Sequence, residues 1–184
     1  MLFRSAGLEN NEDSLLVDIG STTTDIIRLR ENEVRCSGRS DTERLRAGEL
    51  VYTGVRRTPV CAILEEADLN GVASPLAAEH FATTLDTWLR LDEISEDPAC
   101  LSTADGRPAT RQLARDRLAR MLCLDPGELS KEDALELAEQ VARAQEDKIC
   151  RAIGRLIELE KPASARSEER RGGKEGRCRW APDQ

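Results

Sequence analysis

Residues 17–25, Val17-Asp18-Ile19-Gly20-Ser21-Thr22-Thr23-Thr24-Asp25, gather the side chains that phosphate chemistry needs. Gly20 permits close approach of the chain, the N–H groups of the turn that follows can point inward, and the hydroxyls of Ser21, Thr22, Thr23 and Thr24 can donate to phosphate oxygens. Asp18 stands at the end of an apolar run just before the turn. A carboxylate there can hold Mg²⁺ or one of its waters, which offsets the charge of the phosphates it would otherwise repel. The string is not a G-x-x-x-x-G-K-[ST] loop, since no Lys follows, nor a G-x-G-x-x-G fingerprint, since one glycine is present and a strand comes next. An ordinary Thr-rich hairpin turn competes with this reading, and residue chemistry alone leaves the two even.

Further candidates lie downstream. Arg56 and Arg57 fall between Gly54 and Pro59, in a loop that can present guanidinium groups to a phosphate or carboxylate, although solvated arginines fit the same text. Arg107, in an Asp-Gly-Arg-Pro turn, has a similar but weaker case as a substrate contact. His80 is the only histidine and reads as a partly exposed residue near the start of a helix. Phe81 and Trp88 read as core residues of that helix. The six cysteines, at 36, 61, 100, 123, 150 and 178, show no C-x-x-C pair and read as free, mostly buried thiols.

The elements that position these residues follow from the apolar spacing. Leu15-Leu16-Val17 with Ile19 predicts a strand buried on both faces and ending at Gly20, Ile26-Ile27 with Leu29 a second, and Val34 a third after the polar turn at Glu31-Asn32-Glu33. Mixed text from 45 to 69 predicts a short helix, a loop and a strand over 60–64. Ser74-Pro75 reads as an N-cap with proline at the first helical position, ahead of Phe81, Leu85, Trp88 and Leu89 at helical spacing. A polar connection covers 92–106, and Pro108 opens a helix with Leu113, Leu118, Met121 and Leu122. Ser130-x-x-Asp133 caps a long helix, apolar at 134, 137, 138, 141, 149, 153 and 156 and stopped by Pro162. The expected fold is α/β, a small antiparallel β-meander over about 14–64 followed by a helical subdomain over about 74–161.

Bulk properties narrow the function classes. A chain of 184 residues has room for a core, which must be aliphatic because aromatics make up only 3% of it. A net charge of −8 argues against nucleic acid or an anionic membrane as the main partner and leaves a small-molecule substrate. No run approaches the ~18 apolar residues that span a bilayer, and no secretory signal is evident, so a cytoplasmic location is expected. Composition shifts abruptly at Arg166 to an Arg/Gly-rich tail ending Arg177-Cys178-Arg179-Trp180. Residues 166–184 resemble a translated sequencing adapter, and residues 1–5 the opposite one, which leaves 6–165 as the expected domain. A natural basic tail for an acidic partner is the alternative.

The string Asp18-Ile-Gly-Ser-Thr-Thr-Thr-Asp25 is similar to the second phosphate motif of the hydantoinase A and oxoprolinase family, a branch of the actin-like ATPase superfamily that also holds sugar kinases and Hsp70 and has a ribonuclease H-like core. The segments Gly48-Glu-Leu-Val-Tyr-Thr-Gly-Val-Arg-Arg-Thr-Pro59, Ala78-Glu-His-Phe-Ala-Thr-Thr-Leu-Asp86, Ala104-Asp-Gly-Arg-Pro-Ala-Thr110 and Arg117-Leu-Ala-Arg-Met-Leu-Cys123 resemble one branch, linked to the tetrahydromethanopterin one-carbon pathway and to methanofuran biosynthesis. Arg28 departs from it, where proline is common.

The resemblance implies that Asp18, as the catalytic and Mg²⁺-holding carboxylate, and Gly20, Ser21, Thr22, Thr23 and Asp25 touch ATP or a diphosphate-activated substrate. It implies a synthase in one-carbon cofactor biosynthesis. The rivals are an ATP-dependent amidohydrolase of hydantoin or 5-oxoproline, and a regulatory protein that binds nucleotide without turnover. It also implies an earlier Asp-containing phosphate loop and a later glycine-rich adenosine loop. Neither stands in this sequence, so the chain is expected to be part of a longer enzyme and inactive alone.

Overall fold

The computed structural model of the chain describes residues 14–30 and 33–160, with side chains as far as residue 158. The terminal segments 1–5 and 166–184, Glu31 and Asn32 of the polar turn, and Pro162 lie outside the described residues. The elements run β1 (Ser14–Ile19), β2 (Thr24–Arg30), β3 (Glu33–Arg35), α1 (Asp41–Ala47), β4 (Leu50–Val51), β5 (Glu66–Leu69), β6 (Val72–Pro75), α2 (Thr84–Arg90), α3 (Arg111–Met121) and α4 (Lys131–Glu160). The architecture is α/β, with antiparallel sheets and helices, as the apolar spacing predicts.

In the first sheet β1 and β2 form a hairpin whose register runs from Ser14↔Leu29 to Ile19↔Thr24. On the other edge of β2, β3 pairs at Arg28 to Arg30 and β4 at Thr24 and Asp25. Because side chains alternate along a strand, Val17 and its partner Ile26 share one face. That face meets the far end of α4, where Ile26, Val51 and Leu156 are buried together and Leu15, Val17 and Ile153 pack around them. The two residues of β4 are too short a run to read from sequence, yet both are buried and they close the sheet beside the 20–23 turn.

Helix α1 begins at a full capping box, the Ser40 hydroxyl accepting from the Glu43 N–H and the Glu43 carboxylate from the Ser40 N–H. It starts four residues earlier than the apolar text around Leu45 suggests, since none of its residues is buried. Capping and first-turn charge set this helix, not a core stripe.

Three expectations for the middle of the chain are corrected. Residues 60–64 form no strand: Val60–Ala62 is a 3₁₀ turn, and the Val60 N–H is spent on the Ala82 carbonyl at 3.0 Å. Val60 packs inside the main core with Ile63 and Leu64 against it, and a turn, not an alternating strand, puts all three on one side. Ser74 and Pro75 cap no helix but end β6, paired with β5 across a tight turn at Asn70 and Gly71 with φ of 55° and 79°. Asn-Gly with both φ positive is the strongest short hairpin signal, and it outweighs Ser-Pro. Helix α2 therefore starts at Thr84, with Thr83 and Asp86 making its capping box. His80 sits in the exposed turn ahead of it, and Phe81 precedes the helix, half-buried against the core beneath the Arg120 guanidinium at 5.8 Å.

The remaining helices fall near their expected places. Helix α3 begins at Arg111, after Pro108, because Thr110 supplies the N-cap, its hydroxyl accepting from the Leu113 N–H. The Ser130 hydroxyl accepts from the Asp133 N–H at 2.9 Å at the start of α4. The first half of α4 buries Ala134, Leu137, Ala138 and Val141 against Leu118 and Met121 of α3, and its last turns reach the sheet. The cysteines correct the reading in one respect. No disulfide joins the described cysteines, and none of them is fully buried: Cys36 and Cys123 are exposed, while Cys61, Cys100 and Cys150 are half-buried.

Candidate functional site

The 20–23 turn closes on itself, the Gly20 N–H donating to the Thr23 carbonyl at 2.8 Å. A second segment then seals one side. The Val55 N–H donates to the Gly20 carbonyl at 3.0 Å, and the N–H groups of Arg56 and Arg57 both donate to the Ser21 carbonyl, at 3.1 and 3.0 Å. Two sequence candidates, the Ser/Thr turn and the paired arginines, are thus one structural unit.

Gly54 makes this contact possible. A Cβ there would lie 2.5 Å from the Gly20 carbonyl oxygen and 2.6 Å from the Thr22 nitrogen, distances at which something must move. At Gly20 the corresponding distance, to the Thr23 oxygen, is a milder 3.2 Å, so the close approach expected at Gly20 is chiefly a property of Gly54.

The docking decides what the turn offers a ligand. All described peptides are trans, and in a trans peptide C=O and N–H point opposite ways. The carbonyls of Gly20 and Ser21 are held by the 54–57 loop, and the N–H groups of the same two peptides, on Ser21 and Thr22, each point opposite to the carbonyl they share a peptide with. The carbonyls of Gly20, Ser21 and Thr23 are engaged, while the N–H groups of Ser21 and Thr22 have no hydrogen-bond partner among the described residues and lie near the hydroxyls of exposed Ser21 and half-buried Thr22 and Thr23. Adjacent backbone donors of this kind suit an anion.

The flanking carboxylates separate in role. Asp18 and Asp25 are directly paired across the hairpin and so share a face. Asp25 is bound by Arg44 of α1 at 2.7 Å, which places it as a brace between sheet and helix. Asp18 is exposed. Arg56 is half-buried, one nitrogen 3.5 Å from the Cys100 sulfur, and Arg57 is exposed beside the turn. Arg107 is placed elsewhere: it binds Asp105 through its backbone N–H at 3.1 Å and its Nε at 2.7 Å, and lies 3.9 Å from Asp116. It shares no contact with the 20–23 turn among the described residues. No group of three or more His, Cys, Asp or Glu able to hold a metal occurs among them either.

Beneath the loop lies a buried polar network that the sequence reading passes over. The Gly54 carbonyl accepts from the Thr84 hydroxyl at 2.7 Å and from Gln145 Nε2 at 2.9 Å, and Gln145 also donates to the Thr53 hydroxyl at 2.9 Å. The Thr58 hydroxyl accepts from the Gly54 N–H at 2.9 Å, and Thr24 donates to the Thr53 carbonyl at 2.8 Å. A second cluster joins α2, α3 and the 103–109 turn. Arg117, with 0% of its side chain exposed, donates to Asp86 at 2.7 Å and to Asp105 at 3.0 Å. Burial raises the pKa of Asp86 against the pull of Arg117. Burial also pushes Asp105 upward, but hydrogen bonds from Arg107 and the charges of Arg117 and Arg107 outweigh it and hold the group at about 2.

Signals for these residues were present. Gln145 occupies the gap in the apolar stripe of α4 between 141 and 149, and Thr84, Asp86, Asp105 and Arg117 all fall within the segments that carry the family resemblance.

Comparison with known proteins shows the family. A hydantoinase/oxoprolinase family model matches residues 2–171. A protein of Methanococcus vannielii named as (4-{4-[2-(gamma-L-glutamylamino)ethyl]phenoxymethyl}furan-2-yl)methanamine synthase is 32% identical over 156 residues, 85% of this chain and 69% of the relative. A protein of the same name from Methanocaldococcus jannaschii is 39% identical over 124 residues, 67% of this chain and 37% of the relative. The chain belongs to the hydantoinase/oxoprolinase family of enzymes, in the branch that includes these furan-methanamine synthases.

Proposed function

We propose that the chain provides the phosphate-facing part of an enzyme that builds the aryl ether of a furan-methanamine in methanofuran-type cofactor biosynthesis. In this reading the β1–β2 hairpin is the phosphate element of an actin-like ATPase lobe, working in the cytoplasm on a small-molecule substrate. The observation that carries it is the docking of the 54–57 loop on the 20–23 turn, which ties up two carbonyls and leaves a paired set of donors. The relatives' product contains a phenoxymethyl group, whose central bond joins a phenol oxygen to a furylmethyl carbon.

The bond forms when the phenol oxygen attacks that carbon. The carbon–oxygen bond to a diphosphate leaving group breaks, its electron pair departs with the diphosphate, and the phenol proton passes to a base. The N–H groups of Ser21 and Thr22, the hydroxyls of 21–23 and the Arg57 guanidinium stabilise charge growing on the leaving group, a term worth about 3–4 kcal/mol per well-placed donor. The exposed Asp18 carboxylate fits a place for Mg²⁺, with Asp25 already neutralised by Arg44. Bound there, the ion would offset the diphosphate charge.

The test uses the full-length protein with a furylmethyl diphosphate and gamma-glutamyltyramine, followed by mass spectrometry. The expected result is the ether product with release of one diphosphate, and at least ~100-fold loss of kcat/KM in Gly54→Ala, where the donors lose their alignment. ATP-driven ring opening of hydantoin or 5-oxoproline without ether formation would replace the proposal with the amidohydrolase reading. Nucleotide binding without any turnover would replace it with a regulatory one.

A further inference from the structure

We infer that Gln145, near the middle of α4, is a positioning residue for the anion-facing turn, acting through the 54–57 loop. The inference rests on the reading of that turn as a phosphate site. Along α4 the buried positions 134, 137, 138, 141 and 142, then 149 and 156, are Ala, Leu, Val or Ile, and Gln145 interrupts this series while being only 2% exposed. An apolar side chain would satisfy the packing at such a position. An amide there carries a desolvation cost that only specific hydrogen bonds offset.

The bonds it makes are confined to the loop. Its Nε2 donates to the Gly54 carbonyl and to the Thr53 hydroxyl, both at 2.9 Å, while its Oε1 has no partner among the described residues. Rotating the amide would turn Oε1 toward the Gly54 carbonyl, oxygen against oxygen, so the loop fixes its orientation. The Thr84 hydroxyl of α2 holds the same carbonyl at 2.7 Å from a second element. The two helices fix the peptide that follows Gly54, and the next three N–H groups are those that hold the turn carbonyls. Gln145 therefore sets where the turn donors point without touching a ligand itself.

Gln145→Met, similar in length and volume and without donors, separates this role from packing. In the full-length protein the expected result is an unchanged or raised melting temperature, because the unsatisfied oxygen is gone. Hydrogen exchange at Val55, Arg56 and Arg57 should quicken by roughly tenfold, in keeping with a lost hydrogen bond, while Ile26 in the adjoining sheet is unaffected. Calorimetry with inorganic diphosphate should show weaker binding by a similar factor.

Unchanged exchange at 55–57, or exchange raised equally throughout, overturns the positioning role. Wild-type protein that fails to bind diphosphate overturns the phosphate reading and this inference with it. Accelerated exchange in the variant with undiminished diphosphate binding leaves the phosphate reading standing and refutes the link to the ligand. If Gln145→Met does not fold, Thr84→Val, which removes the other side-chain donor to the same carbonyl, is read by the same measurements, with Thr84→Ser as the rescue.

Discussion

Asp105 is held at about 2 although it is nearly buried, because Arg107 binds it through both side chain and backbone and Arg117 adds a second charge. A carboxylate with a lowered pKa adds stability that is complete above its ordinary value of 3.8 and is lost as pH falls through about 2. Asp105→Asn should therefore destabilise the protein by about 2–3 kcal/mol at pH 7, the difference shrinking below pH 4 and closing near pH 2. Urea titrations of both proteins across that range check it, and a constant difference down to pH 2 would show that the charge is not responsible. Burial raises the pKa of Asp86, the other carboxylate on Arg117, against the pull of that guanidinium. Arg107, read from sequence as a substrate contact, is bonded to Asp105 of the turn that packs on the α2–α3 pair.

At the scale of elements, α4 shows how much a regular pattern carries. Its apolar spacing and its Ser130 start were legible because 3.6-residue periodicity sustained over 30 residues overrides local ambiguity. Gly154, half-buried within it, has no atom within 4 Å of where a Cβ would stand. Gly154→Ala should stabilise the protein by about 1 kcal/mol from helix propensity alone, and thermal unfolding measures it. Short elements were less legible. Ser74-Pro75 carries a helix signal and Asn70-Gly71 a hairpin signal within five residues, and the hairpin prevails because β5 and β6 pair through both flanks of the turn. The β4 strand is two residues long, and its identity depends wholly on the β2 edge beside it. The site divides the same way. The Ser/Thr turn and the two arginines are readable as types, but their union depends on carbonyl bonds that no side chain announces.

For the whole molecule, α4 is the member common to two cores. Its first half completes the core with α3, and Leu156, 1% exposed, meets Ile26 and Val51 of the sheet. Leu156→Ala should cost about 2–5 kcal/mol at that junction. NMR-monitored urea unfolding should then show the β1–β2 hairpin melting before the α2–α3 pair, and a single coincident transition would refute this division. The segments resembling one family branch also meet in three dimensions: the 48–59 segment on the turn, the 78–86 segment on Gly54 through Thr84, and the 104–110 and 117–123 segments around Arg117.

The bond from Gln145 to Gly54 spans 91 residues of chain, whereas the β1–β2 hairpin closes over a turn of four. Local pairs form early and distant ones late, because a long loop must close before its contact contributes. A ribosome releasing this chain would therefore expose the hairpin long before the helix that steadies its neighbouring loop exists. If the turn grips an anion as proposed, that capacity should arise abruptly once α4 has emerged rather than grow with length.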